Sequence, residues 1–108
     1  MTLKLDLMDI IDSNEGIKHL YPTATRKEVL DIDYANAHAE TQSLAFAFFI
    51  ENGHDAHIGL ECTRAGILDH YKANYLLLDD FQVNRALAVL AGITKVYDII
   101  IKIDTSDI

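Results

Sequence analysis

Two adjacent carboxylates, Asp79 and Asp80, close a short apolar run over residues 75–78. Beyond them Val83, Ala86, Leu87, Leu90 and Ala91 recur as one stripe of a helix. A buried strand that ends in carboxylates and turns into a helix is where α/β proteins place chemistry, because ligands sit outside the carboxyl ends of such strands. Asp6, on or just after the first apolar alternation, and Asp55, at the start of a helical pattern, are further candidates. In a parallel sheet these groups share one edge. Crowded carboxylates repel one another unless a cation neutralises them. A hard divalent ion with oxygen ligands, Mg²⁺ or Mn²⁺, is the natural partner. Two such ions clamp the attacking and leaving oxygens of phosphodiester hydrolysis. The competing reading is structural, since aspartate is also a good N-cap and turn residue.

Other motifs offer less. His54-Asp55-Ala56-His57 sets two imidazoles three positions apart around a carboxylate, a spacing a transition metal could use. His19, His38 and His70 are scattered. The glycine-rich loops that cradle phosphates are absent, as is the Gly-x-Ser-x-Gly elbow. Cys62 is the single cysteine, with no basic cluster around it in sequence to make it a nucleophile, and it reads as a small buried thiol.

The elements that must position these groups follow from composition and period. The 108 residues fit one domain, 1–108, and half of them are hydrophobic, enough for one core. Seventeen acidic residues against nine basic ones leave a net charge of −8. That argues against non-specific affinity for nucleic-acid backbones or anionic membranes and suits a cation or a basic protein partner. No apolar run approaches the ~20 residues that span a bilayer, and the first residues do not read as a signal peptide. A lone cysteine gives no sign of an oxidising compartment, so a cytoplasmic protein is expected.

Leu3, Leu5 and Leu7 alternate with polar residues, a half-buried strand over 2–7. Residues 8–20 allow one or two helical turns. Thr25 and Glu28 fit a capping box, but alternation over 29–34 competes and favours a strand there. Residues 35–41 read as a turn and 43–51 as a greasy helix stopped by Asn52-Gly53. Residues 55–65 fit a strand and a helix equally. Residues 75–78 read as a buried strand, Gly92 as a helix stop, and 96–103 as a last, isoleucine-rich strand. Alternating strands and helices imply a three-layer α/β fold, with a parallel or mostly parallel sheet and helices on both faces. The phenylalanine-rich helix and the isoleucine-rich strand offer more apolar surface than so short a chain hides, which points to a homo-oligomer.

Asp55-Ala56-His57-Ile58, the run 75–80 and the segment 81–93 ending in Gly92-Ile93 resemble the second half of a PIN domain. That resemblance implies a metal-dependent ribonuclease, toxin-like or degenerate, with RNA as substrate. It implies Asp6, Glu28, Asp55 and Asp79 as ligands of Mg²⁺ or Mn²⁺, with Asp80 assisting. Asp6, Asp55 and Asp79 would be the catalytic acids. Asp6 is followed by Leu7-Met8 where the family carries Asp-Thr/Ser-Asn, and no basic RNA-facing surface stands out. Residues 29–33 and 85–99 are also similar to parts of STAS domains. That likeness implies a non-catalytic α/β regulator, or an inhibitor, that binds partner proteins, with Thr41 or Ser43 nearest the family's phosphorylated serine.

Overall fold

The computed structural model describes residues 5–12 and 21–106, with side chains through Ile103. Its elements are α1 (Met8–Asp12), α2 (Arg26–Asn52), a 3₁₀ turn (Gly53–Asp55), α3 (Ala56–Asn74), a second 3₁₀ turn (Tyr75–Leu77) and α4 (Asp80–Ser106). Among the described residues there is no strand. The three-layer α/β sheet is therefore corrected to an all-helical bundle. The expected first strand falls on the non-helical residues 5–7 and the start of the chain, residues 1–4. The latter, like residues 13–20, lie outside the described residues.

The start of α2 decides the first conflict of periods. Thr25 Oγ1 accepts the Glu28 N–H at 3.2 Å, and Glu28 Oε1 accepts the Thr25 N–H at 3.2 Å, a complete capping box. Once nucleated, the helix continues through 29–34, the expected strand, and through 35–41, the expected turn. Ala35, Ala37 and Ala39 favour helix, and no glycine or proline interrupts before Gly53. Val29, Asp33, Ala37, Thr41 and Ala45 are buried in steps of four, one ridge along the helix. The helix stops where the sequence indicates. Gly53 has φ 62°, a value that only glycine adopts freely, and its N–H bonds the Phe49 carbonyl.

Residues 55–65 are helical, with Ala56, Gly59, Leu60, Thr63 and Ile67 buried at helical spacing. Residues 75–78 are not a buried strand. Leucine carries no β-branch to favour a sheet, and Leu76 and Leu77 are each 83% exposed on the second 3₁₀ turn. The expected last strand is the C-terminal part of α4. Ile93, Val96 and Ile100 recur at three and four, all buried, and that burial outweighs the modest helical reluctance of β-branched residues.

α2 and α4 run parallel. Arg26 meets Asp80, Leu30 meets Asn84, Asp33 meets Arg85 and Thr41 meets Gly92, rising together along both helices. α3 returns antiparallel to α4 and packs on it, with Arg64 Nη1 donating to Thr94 Oγ1 at 3.3 Å and its guanidinium lying 5.0 Å over the Tyr97 ring. The core is built on α4, from Ala86, Ala88, Val89, Ile93, Val96 and Ile100. Leu60 and Ile67 of α3 and Leu7, Ile10 and Ile11 at the start of the chain close over it. Leu5 is pinned to α3 by its N–H, which donates to Thr63 Oγ1 at 3.3 Å. Gly92 does not stop a helix. It lies inside α4, at its crossing with α2, where an added Cβ would fall 2.9 Å from Thr41 Cγ2 and 3.3 Å from the His38 carbonyl oxygen. The molecule is elongated, 51 × 27 × 20 Å, with a radius of gyration of 15.1 Å against about 13 Å for a typical domain of its length.

Candidate functional site

The sequence-derived acids do not form one cluster: Glu28, Asp79 and Asp80 stand at the starts of α2 and α4, while Asp55 and Asp6 lie elsewhere. Asp55 and Asp79 bracket α3, whose 19 residues span about 28 Å at the helical rise. Asp55 closes the first 3₁₀ turn at the entrance to α3 and makes no side-chain cap bond. Asp6 lies in the segment leading to α1, where its Oδ1 accepts the Met8 N–H at 3.1 Å. Glu28 belongs to the α2 capping box. Asp79 caps α4: its Oδ1 accepts the Gln82 N–H at 2.8 Å, and Gln82 Oε1 accepts the Asp79 N–H at 3.1 Å. Asp80 is ion-paired with Arg26, whose Nε donates to Asp80 Oδ2 at 2.8 Å and whose Nη2 donates to Oδ1. Among the described residues no three His, Cys, Asp or Glu side chains form a group that could hold a metal ion. As placed, these carboxylates do not fit a Mg²⁺ or Mn²⁺ site.

The other singled-out side chains are also in structural use or differently placed. His57 Nδ1 lies 2.7 Å from the His54 carbonyl oxygen, which fixes it as a donor. Thr41 is fully buried and its hydroxyl donates to the Ala37 carbonyl at 2.7 Å, while Ser43 is exposed in mid-helix rather than at a helix start. Cys62, expected to be buried, is exposed. It lines a shallow groove of about 370 Å³ between Leu5–Met8 and α3.

What does converge is one end of the molecule, where α2 and α4 begin and α3 ends. Phe81 sits under two guanidiniums, Arg26 at 5.1 Å and Arg85 at 5.8 Å from the ring centroid. Arg85 Nε donates to Asp33 Oδ2 at 2.8 Å, with the two side chains only 7% and 10% exposed. Asn84 donates to the Leu30 carbonyl at 2.8 Å. Sequence reading missed the Asp33–Arg85 pair. Its only trace is an arginine inside the apolar stripe of α4, one residue before buried Ala86.

On this stitched end stands the turn Tyr75–Leu77. Tyr75 stacks on Tyr71, with ring centroids 6.3 Å apart. Asn74 Nδ2 donates to the His70 carbonyl at 2.9 Å, and the Leu78 N–H donates to the Tyr75 carbonyl at 3.4 Å. Capping on one side and stacking on the other hold a short turn whose two leucines project into solvent. Sequence reading had these leucines inside a sheet.

Two carboxyls here have pKa values below the ordinary carboxylate range. Hydrogen bonds from the Thr25 hydroxyl and backbone N–H lower Glu28, and the hydrogen bond from Arg26 lowers Asp80. A depressed carboxyl stabilises the fold above its unfolded pKa of about 4. It loses that contribution as pH falls through the folded value. Urea midpoints measured from pH 6 to pH 2 should therefore fall on the acid side, and Glu28→Gln with Asp80→Asn should flatten that fall. An unchanged slope in the double variant would remove these two carboxyls from the acid response. Both side chains are solvent-facing, so the difference is small.

No match is found for the chain among protein-family models, curated proteins or solved structures. Among the described residues no helix is long and apolar enough to cross a membrane.

Proposed function

We propose that the chain is a non-catalytic helical interaction module that docks on a basic protein partner through the turn Tyr75–Leu77. The carrying observation is the pair Leu76 and Leu77, each 83% exposed on a turn braced by Tyr71, Asn74 and the Asp79 cap. Fully burying one leucine is worth roughly 1.5–3 kcal/mol, so two leucines left in water are an anchor for an apolar pocket. A turn already ordered before docking loses little conformational freedom on binding. The net charge of −8 supplies the partner's chemistry: a pocket rimmed by lysine and arginine is drawn to this surface, with a fast, salt-sensitive encounter.

The test is capture on the immobilised full chain across a salt gradient, with proteins identified by mass. Basic proteins should be retained at low salt, released by a few hundred millimolar salt, and lost at every salt to Leu76→Ser/Leu77→Ser. An identical capture profile for the double variant would end this reading. The nuclease reading makes the opposite demand: RNA cleavage with Mn²⁺, and a melting temperature raised by Mn²⁺ but not in Asp79→Asn. The interaction module leaves RNA intact, and its melting temperature ignores the metal.

A further inference from the structure

Asn52 is the one asparagine of the chain that precedes a glycine; Asn14, Asn36, Asn74 and Asn84 precede Glu15, Ala37, Tyr75 and Arg85. The distinction is chemical. The backbone nitrogen of the next residue can attack an asparagine side chain at Cγ, and a Cβ on that next residue obstructs the approach. Gly53 carries none and turns more freely than any other residue. The pair stands at the junction of α2 with the first 3₁₀ turn, Gly53 exposed and Asn52 half-buried.

The fold holds the two reacting groups apart. Asn52 Nδ2 donates to the Phe48 carbonyl at 2.9 Å, and the Gly53 N–H donates to the Phe49 carbonyl. Asn52 has φ −103° and ψ −8°. With ψ near zero the Gly53 nitrogen eclipses the nitrogen of Asn52 itself and is turned away from Cβ. Closing a five-membered ring requires it to swing over Cβ instead. Attack therefore needs the last turn of α2 to open: both carbonyls must let go, and ψ must leave the helical range.

We propose that Asn52 is a self-modifying site gated by this junction, intact while α2 is capped and converted to aspartate and isoaspartate when its last turn opens. The Gly53 nitrogen gives its proton to solvent and bonds to Asn52 Cγ. The side-chain nitrogen takes up a proton and leaves as ammonia. Water then adds to one or the other carbonyl of the succinimide ring and breaks its bond to the ring nitrogen. One amide and one water become one carboxylate and one ammonium ion, with no change of oxidation state. A carboxylate at position 52 cannot donate to the Phe48 carbonyl, and it sets negative charge at the C-terminal end of α2, where the macrodipole disfavours it. Isoaspartate lengthens the main chain and takes the Gly53 N–H out of register with the Phe49 carbonyl. Each conversion thus loosens the junction that had prevented it, and the change runs one way. The site does not rest on the docking turn, which lies at the other end of α3.

Peptide mapping of the full chain, held in mildly alkaline buffer with and without urea, reads the conversion. Asn52 should convert at least tenfold more slowly in the native chain. That ratio should agree within a few-fold with the protection of the Gly53 amide against hydrogen exchange, because both report how often the junction opens. Ala56, fully buried at the first position of α3, anchors the turn to the core. Ala56→Gly leaves the reacting atoms untouched, and it should keep the helical circular dichroism, lower the Gly53 protection and speed conversion severalfold. Conversion as fast in the native chain as in urea would overturn the proposal. So would a rate in urea no higher at Asn52 than at the other asparagines, or an unchanged rate in Ala56→Gly despite lower Gly53 protection.

Discussion

Asp33→Ala is expected to destabilise the protein by about 3–5 kcal/mol, because it leaves the Arg85 guanidinium charged, buried and without its counter-ion. Arg85 is 5% exposed and its Nη1 already has no hydrogen-bond partner, so little remains to compensate it. Domains of this size have total stabilities of roughly 5–15 kcal/mol, and the variant should lose much of its helical signal on mild warming. Removing both charges is a different experiment. Asp33→Leu with Arg85→Met deletes the desolvated pair together and should recover most of the loss, since a well-packed apolar pair can replace a buried ion pair at little cost. Chemical denaturation of the two single variants and the double variant gives the coupling energy directly. A loss under about 1 kcal/mol in Asp33→Ala would mean that water reaches Arg85 and that the pair is not a structural lock.

The second large effect is expected at Gly92. Alanine normally gains about 1 kcal/mol over glycine inside a helix. Gly92→Ala should nonetheless destabilise, by roughly 1–3 kcal/mol, the usual cost of overpacking. The new Cβ would lie 2.9 Å from Thr41 Cγ2 and 3.0 Å from Thr41 Cβ. Thr41 cannot rotate away cheaply, because its hydroxyl is bonded to the Ala37 carbonyl. Relief requires α2 and α4 to separate. Gly66→Ala is the matched control: its Cβ would meet nothing within 4 Å, so it should stabilise by about 1 kcal/mol. Thr41→Ser removes Cγ2 and should return part of the loss when combined with Gly92→Ala. Equal melting temperatures for the two glycine variants would show that the helices are not in close contact at this crossing.

What the sequence disclosed were the places where local chemistry acts alone. The Asn52-Gly53 stop and the greasy helix over 43–51 are legible, because each depends on residues close along the chain; the Thr25–Glu28 capping box is visible too, but the alternation over 29–34 points to a strand and the structure decides for the cap. The sheet was misread where short apolar runs carry no period. Residues 75–78 look like a buried strand by composition, yet they are a solvent-facing turn, since three consecutive leucines satisfy either reading. Residues 96–103 look like a strand by β-branching, yet Val96 and Ile100 lie on the same buried face of α4 as Ile93. Gly92 reads as a helix end when seen alone and becomes a point of close approach only once α2 lies against it. The acids follow from the same error. Asp79 marks a strand terminus only if there is a strand, and on a helix it is the cap that starts α4. Asp33–Arg85, 52 residues apart, has no local signature at all.

The parallel pairing of the first and last long helices constrains how the chain is made. Arg26–Asp80, Leu30–Asn84 and Asp33–Arg85 are separated by 54, 54 and 52 residues. Contacts of such sequence separation slow the search for the native state. On a translating ribosome, the ridge of α2 from Val29 to Ala45 has no lasting cover until α4 has cleared the exit tunnel. Until then the nascent polypeptide carries this ridge unshielded, a natural target for holding chaperones, and the pairing of α2 with α4 waits until both helices have been made.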